Sequence, residues 1–192
     1  SKFLEKSSLI KRANKEKILK KKEQPKYDVT NLSVKDLDQG FVFDYNLKSW
    51  VIKEVYKYDW GKNIFTKEYK IDAGDEMAYL SVSDNGDLNL SVTKSIKMQE
   101  LGDGIREEIR KKEAPDELTY KGITYYLDED SAGYFNDVSA KSSEWEELVS
   151  YDYLNDDETL CLSISQWDER NFDAFAGNVI QDFEISNITP DA

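Results

Sequence analysis

Between Asp75 and Val92 the sequence DEMAYLSVSDNGDLNLSV alternates apolar and polar residues on both sides of Asn85-Gly86. Ala78, Leu80 and Val82 fall on one side of an extended chain, and Tyr79, Ser81 and Ser83 on the other. That is the period of a half-buried strand and not of a helix. Asn-Gly is a strong two-residue hairpin signal, because both central positions of a type I′ turn need positive φ. Leu88, Leu90 and Val92 carry the apolar side back along a second strand. The stretch therefore predicts an antiparallel hairpin with one face buried.

The pattern returns in DETLCLSIS, Asp157 to Ser165. At a constant offset, Tyr69 to Ser83 aligns with Tyr151 to Ser165 through Tyr69/Tyr151, Asp75/Asp157, Glu76/Glu158, Leu80/Leu162, Ser81/Ser163 and Ser83/Ser165. Chance would supply about one such identity in a window this short. Upstream, YNLKSWVIKE aligns with YKGITYYLDE, placing Trp50 opposite Tyr125 and Glu54 opposite Glu129. The segments SWVIKEVYKYDW and IFTKEYKID are rich in the β-branched and aromatic residues that suit a pleated, half-buried surface. ELGDGIREEIRKKEAP instead places Leu101, Ile105 and Ile109 four apart, predicting a short helix with Asp103 as N-cap and Pro115 as its stop.

The fold expected is mainly β: two tandem related antiparallel β modules, as small barrels or sandwich-like sheets, with a short linking helix and a basic N-terminal leader rich in helix formers. The divisions are 1–26 (leader), 27–115 (first β module with its C-terminal helix) and 116–192 (second β module).

Residue types narrow the chemistry. Histidine is absent and Cys161 is the sole cysteine. Imidazole acid–base catalysis, Ser-His and Cys-His dyads, and the usual zinc sites are thereby excluded, and no disulfide can form within one chain. The net charge of −13 is uneven, since residues 1–26 hold ten Lys/Arg against three Glu. The remainder is strongly acidic, which repels nucleic acid and favours basic partners. No run of about 18 apolar residues marks a membrane span.

No residue is assigned a catalytic, cofactor-binding or metal-binding role. The acidic turns DAGDE and LNDDE lack a calcium-loop pattern. Cys161 reads as a strand-core residue with no base to lower its pKa. Lys11, Arg12, Lys20, Lys21 and Lys22 are the candidate partner or membrane contacts, and Trp60 and Trp167 the candidate surface aromatics, each beside an aspartate.

The motifs WVIKEVYKYDW, KEYKI and YLSV, then LTYKGITYYLDE, then YDYLNDDETLCLSISQWDERNFDAFAG and ISNITP, resemble the bacterial domain-of-unknown-function 4178 family across nearly all of residues 32–190. That resemblance implies no established activity. It does imply a genomic neighbourhood of membrane-stress proteins of the phage-shock-protein-A type, small membrane proteins and aminopropyltransferase-like proteins.

The leading expectation is a non-enzymatic protein-binding or scaffold module in a bacterial membrane-stress assembly. It would be cytoplasmic and peripheral at the inner face of the membrane, with a protein partner, anionic lipid contact through the leader, no nucleic acid and no cofactor. Two alternatives stay open: a small-ligand binder or enzyme using carboxylates between the modules, and an acidic inhibitor or immunity-type protein for a basic target.

Overall fold

The computed structural model describes residues 27–111 and 113–190. Residues from Leu32 onward form one compact unit. It contains eleven strands, all in one antiparallel sheet: β1 (Val42–Tyr45), β2 (Lys48–Asp59), β3 (Phe65–Asp72), β4 (Met77–Asp84), β5 (Leu88–Ile96), β6 (Glu117–Tyr120), β7 (Ile123–Asp137), β8 (Glu146–Leu154), β9 (Leu160–Gln166), β10 (Phe172–Ile180) and β11 (Ser186–Thr189). One helix, α1 (Ile105–Arg110), and three short 3₁₀ turns complete it. The mainly β expectation holds.

The strand order is β11-β1-β2-β3-β4-β5-β10-β9-β8-β7-β6, and β2 also pairs with β7. That last pairing closes eight strands, β2 to β5 and β7 to β10, into a ring to which both halves of the chain contribute. Closure removes most exposed sheet edge. The long strands make it possible by changing partner. Lys48–Val51 of β2 pairs with β1, whereas Tyr56–Asp59 pairs with β7; in β7, residues 123–126 pair with β6 and 134–137 with β2.

A register shift interrupts β2 between Ile52 and Glu54, and another interrupts β7 between Leu127 and Glu129. An extra residue reverses which face later side chains take. Trp50 and Ile52 are accordingly buried on the outer face, as is Val55, while Tyr56 and Tyr58 turn into the ring. The outer face carries the apolar core. In the second half, Tyr125, Tyr151, Tyr153, Leu162 and Ile164 pack beneath α1 and its preceding 3₁₀ turn, through Met98, Leu101 and Ile109. Tyr69 and Tyr153, both fully buried, anchor the segment leading into each half, donating to Leu37 O at 3.2 Å and Pro115 O at 2.8 Å.

Three local expectations need correction. The hairpin at Asn85-Gly86 is present, but Asp84 pairs with Leu88, so the loop has three residues and only Gly86 takes positive φ (+106°). A two-residue loop would set Val82 against Asn89; the longer loop pairs Val82 with Leu90 and keeps apolar residues on one face. Gly104, not Asp103, occupies the N-cap of α1, with no side-chain cap. The single offset through the repeat also fails at one turn. Tyr69/Tyr151 agrees with the two bulges, since Ile52 pairs with Ile71 and Leu127 with Tyr153. The β8–β9 connection is longer by two than β3–β4, however, so Leu80 occupies the place of Ile164, not Leu162. A slip of two preserves the buried face, which is why the alternation matched in either alignment.

Closure brings backbones close at the β5–β10 seam. A Cβ on Gly177 would lie 1.9 Å from the Val92 carbonyl oxygen and 2.7 Å from Thr93 Cα. Gly177→Ala is expected to destabilise the fold by about 3 kcal/mol or more, because backbone cannot move aside. Gly61→Ala, in open space at positive φ, should lose only about 1 kcal/mol. Equal losses in urea denaturation would show that the seam is not constrained.

The β1–β2 turn carries the opposite anomaly. Asn46 and Leu47 both have positive φ (+49° and +61°), and Leu47 is fully exposed. The matching β6–β7 turn uses Lys121-Gly122. Leu47→Gly should raise stability by about 0.5–1 kcal/mol, relief of the left-handed conformation outweighing the added unfolded-state freedom. Differential scanning calorimetry would register the gain as a higher Tm.

Candidate functional site

Beyond the two bulges, side chains on the inner face of the ring are mostly small, polar or aromatic, with Leu148 of β8 among the exceptions. Tyr58, Glu68, Ser150, Asp152 and Ser163 point inward from β2, β3, β8 and β9. Tyr58 donates its hydroxyl to Glu68 Oε1 at 3.1 Å, and Asp152 Oδ1 accepts from Ser163 Oγ at 2.8 Å and Ser150 Oγ at 3.2 Å. Enclosure disfavours both charges. Burial, with a lesser push from Asp152, raises Glu68 to about 7 against the Tyr58 hydrogen bond. Burial raises Asp152 as well, against its two serine bonds. Cys161 faces the same interior, where burial and the charge of Asp152 push its thiol up to about 11 and keep it protonated.

At one end of the ring the aromatic side chains form a connected run. Trp60 stacks on Tyr58 (centroids 5.4 Å apart, planes 4° apart); Tyr58 meets Phe135 edge-on at 5.4 Å; and Phe135 meets Trp167 edge-on at 5.2 Å. The indole N–H groups are held by Thr66 Oγ1 at 3.0 Å for Trp60 and by the exposed Asp173 Oδ2 at 2.9 Å for Trp167. The Trp60 ring occupies the space a side chain at 133 would need, since a Cβ on Gly133 would lie 2.5 Å from it. Around these rings opens a cleft of about 580 Å³. Trp60, Tyr134, Leu148 and Trp167 supply its apolar surface, and Asp59, Glu147 and Asp168 its charge; among the described residues no lysine or arginine lines it.

The structure thus brings together Trp60 and Trp167, which lie 107 positions apart in the chain. Lys11, Arg12, Lys20, Lys21 and Lys22 lie outside the described residues. The acidic turns stay apart from the cleft: Asp75 and Glu76 pair with Lys48 at 2.7 and 3.5 Å, and Asp157 accepts from the Thr159 hydroxyl at 2.5 Å. Among the described residues no three His, Cys, Asp or Glu side chains gather as a metal site, and no helix is long and apolar enough to cross a membrane. Sequence reasoning missed Glu68 and Asp152, which read as solvated strand positions. Their only signal was parity, opposite to the buried Tyr69 and Tyr151.

Fold and site define a class: an antiparallel β-ring protein with outward apolar cores, a polar interior and an aromatic-acidic cleft at one end. The chain belongs to the family described as Domain of unknown function (DUF4178), whose model matches residues 38–182. It is also similar to an uncharacterized protein of Aquifex aeolicus (strain VF5), 27% identical over 172 residues that cover 88% of this chain and 93% of that protein. No solved structure is a significant match.

The enclosed carboxyls set a pH dependence. Glu68 has a folded-state pKa near 7 against 4.5 for the free group, so the folded state holds its proton more tightly. Its stabilising contribution is complete below about pH 4.5 and is lost as pH rises through 7. Asp152, shifted in the same direction, adds to the trend. Glu68→Gln should therefore gain about 1–3 kcal/mol over wild type at pH 8 and little at pH 4.5, read from urea midpoints. A wild-type protein that grows more stable from pH 5 to pH 8 by this contribution would contradict the burial of Glu68.

Proposed function

We propose that the protein is a non-enzymatic binding module of a bacterial cytoplasmic assembly, and that the Trp60–Trp167 cleft is the face it offers to a protein partner. The observation that carries this reading is the cleft itself: two tryptophans fixed by hydrogen bonds to Thr66 and Asp173, beside carboxylates and with no lysine or arginine among the described residues that line it, on a closed sheet. Rigid aromatic anchors are what binding hot spots are built from. Glu68 and Asp152, the carboxyls with raised pKa, face the ring interior and do not line the cleft, which favours binding there over carboxylate catalysis. The basic leader, with ten Lys/Arg in 26 residues, supports a second contact with anionic lipid at the inner face of the membrane.

Two measurements test the two contacts. A complex recovered with the chain from native lysate should be lost in the folded double variant Trp60→Ala, Trp167→Ala, and weakened at about 0.5 M salt; its survival in both conditions would remove the cleft from the binding face. Sedimentation with phosphatidylserine-containing vesicles should be strong for the whole chain and weak for one starting at Tyr27. Equal sedimentation would remove the lipid contact.

A further inference from the structure

We infer that the cleft is a receptor for an arginine side chain presented by a basic segment of the partner. This deepens the binding-module reading and rests on it. The aromatic rims, the carboxylates and the lack of a lysine or arginine among the described lining residues each narrow the occupant.

An apolar side chain would satisfy the tryptophans but leave the exposed Glu147 carboxylate unmatched, and would add nothing to Asp168, whose neighbouring cation is Arg170. A compact ammonium would meet the carboxylates yet gain less from flat rings. A guanidinium does both: it is planar, weakly hydrated, stacks on indole and donates in a fork that fits a carboxylate. Glu147 projects from β8 as an exposed carboxylate whose one hydrogen bond here is a long one, 3.4 Å from the Tyr134 hydroxyl. Asp59 Oδ1 accepts from Gly61 N at 2.9 Å, which fixes that carboxylate at the rim. Asp168 is held by backbone amides of Arg170 and Asn171 at 2.7 and 2.9 Å, so its charge is stationary. Both indole N–H groups are already committed, to Thr66 Oγ1 and Asp173 Oδ2, so the two tryptophans offer rings and no free donor to a ligand that only donates.

Generic attraction to an acidic body must be separated from recognition by the cleft. The full chain is titrated with fluorescein-labelled hexa-arginine, and in parallel with hexalysine and an uncharged Gly-Ser hexapeptide. The assay is anisotropy at fixed ionic strength, and circular dichroism confirms that each variant folds. Expected are binding of hexa-arginine at least ~10-fold tighter than hexalysine, a ~10-fold or greater loss in Trp167→Ala, and a several-fold loss in Glu147→Gln. Asp87→Asn removes an equal charge in the exposed β4–β5 loop and should leave the affinity unchanged. Equal affinity for the two cationic peptides, an unaffected Trp167→Ala, or an Asp87→Asn loss matching that of Glu147→Gln would each overturn the inference. If hexa-arginine fails while the lysate complex still depends on Trp60 and Trp167, the arginine assignment falls and the binding-module reading stands. If that dependence is absent too, both fall.

Discussion

Close backbone approach at the two seams between the halves is the constraint on which the rest of the structure depends. At β5–β10, Gly177 sits where any side chain would enter the carbonyl of Val92; at β2–β7, Gly133 sits where a side chain would displace Trp60. Most large apolar residues lie outside, beneath α1 and the short edge strands, while the inside carries serines, aromatic rings and the carboxyls of Glu68 and Asp152. The usual arrangement of a small barrel, apolar within and polar without, is inverted in this ring, and at its two seams the chains approach too closely for a Cβ.

That inversion explains the unusual electrostatics. Carboxylates on strands ordinarily reach water on the polar face. Here the polar face is the enclosed one, so Glu68 and Asp152 lose solvation although each occupies a regular polar position in its strand. Hydroxyls of Tyr58, Ser150 and Ser163 offset part of the cost. Desolvation still dominates, because neutral donors return less than bulk water supplied to a charge. The raised pKa of these acids is therefore a consequence of how the ring closes and does not by itself mark a reacting centre.

Strand periodicity made much of this legible in the sequence. The alternation Ala78-Leu80-Val82 and Leu90-Val92 identified a buried face correctly, and the same alternation in β9 identified its counterpart. Strand order did not follow from it. A pattern of two fixes which residues share a face but is silent on which face turns inward, and that choice made Glu68 enclosed and Tyr69 part of an outer core. The bulges at Ile52/Glu54 and Leu127/Glu129 were also invisible, because a one-residue shift in parity inside SWVIKEVYKYDW looks like ordinary noise in a hydrophobic pattern. Trp60 and Trp167 could be singled out as aromatics beside acids. Their convergence needed the β2–β7 pairing, a contact between distant segments that no local window contains.

The register also shows how the cleft opens at the β2–β7 seam. At the β2–β7 seam, Asp59 pairs with Tyr134, and Tyr58 with Phe135. Positions 58 and 133 are equivalent across this seam, as are 60 and 135. One side holds Tyr58 against Phe135, two rings that close the surface; the other holds Trp60 against Gly133, where the missing side chain leaves an opening. Trp167 falls just past the end of β9, whereas the corresponding end of β4 carries Ser83 and Asp84. The opening is thus made by differences between the halves, at glycine 133 and tryptophan 167, and not by what they share. Backbone pairing along β2–β7 and β5–β10 closes the ring; the opening at its rim depends on single side-chain positions.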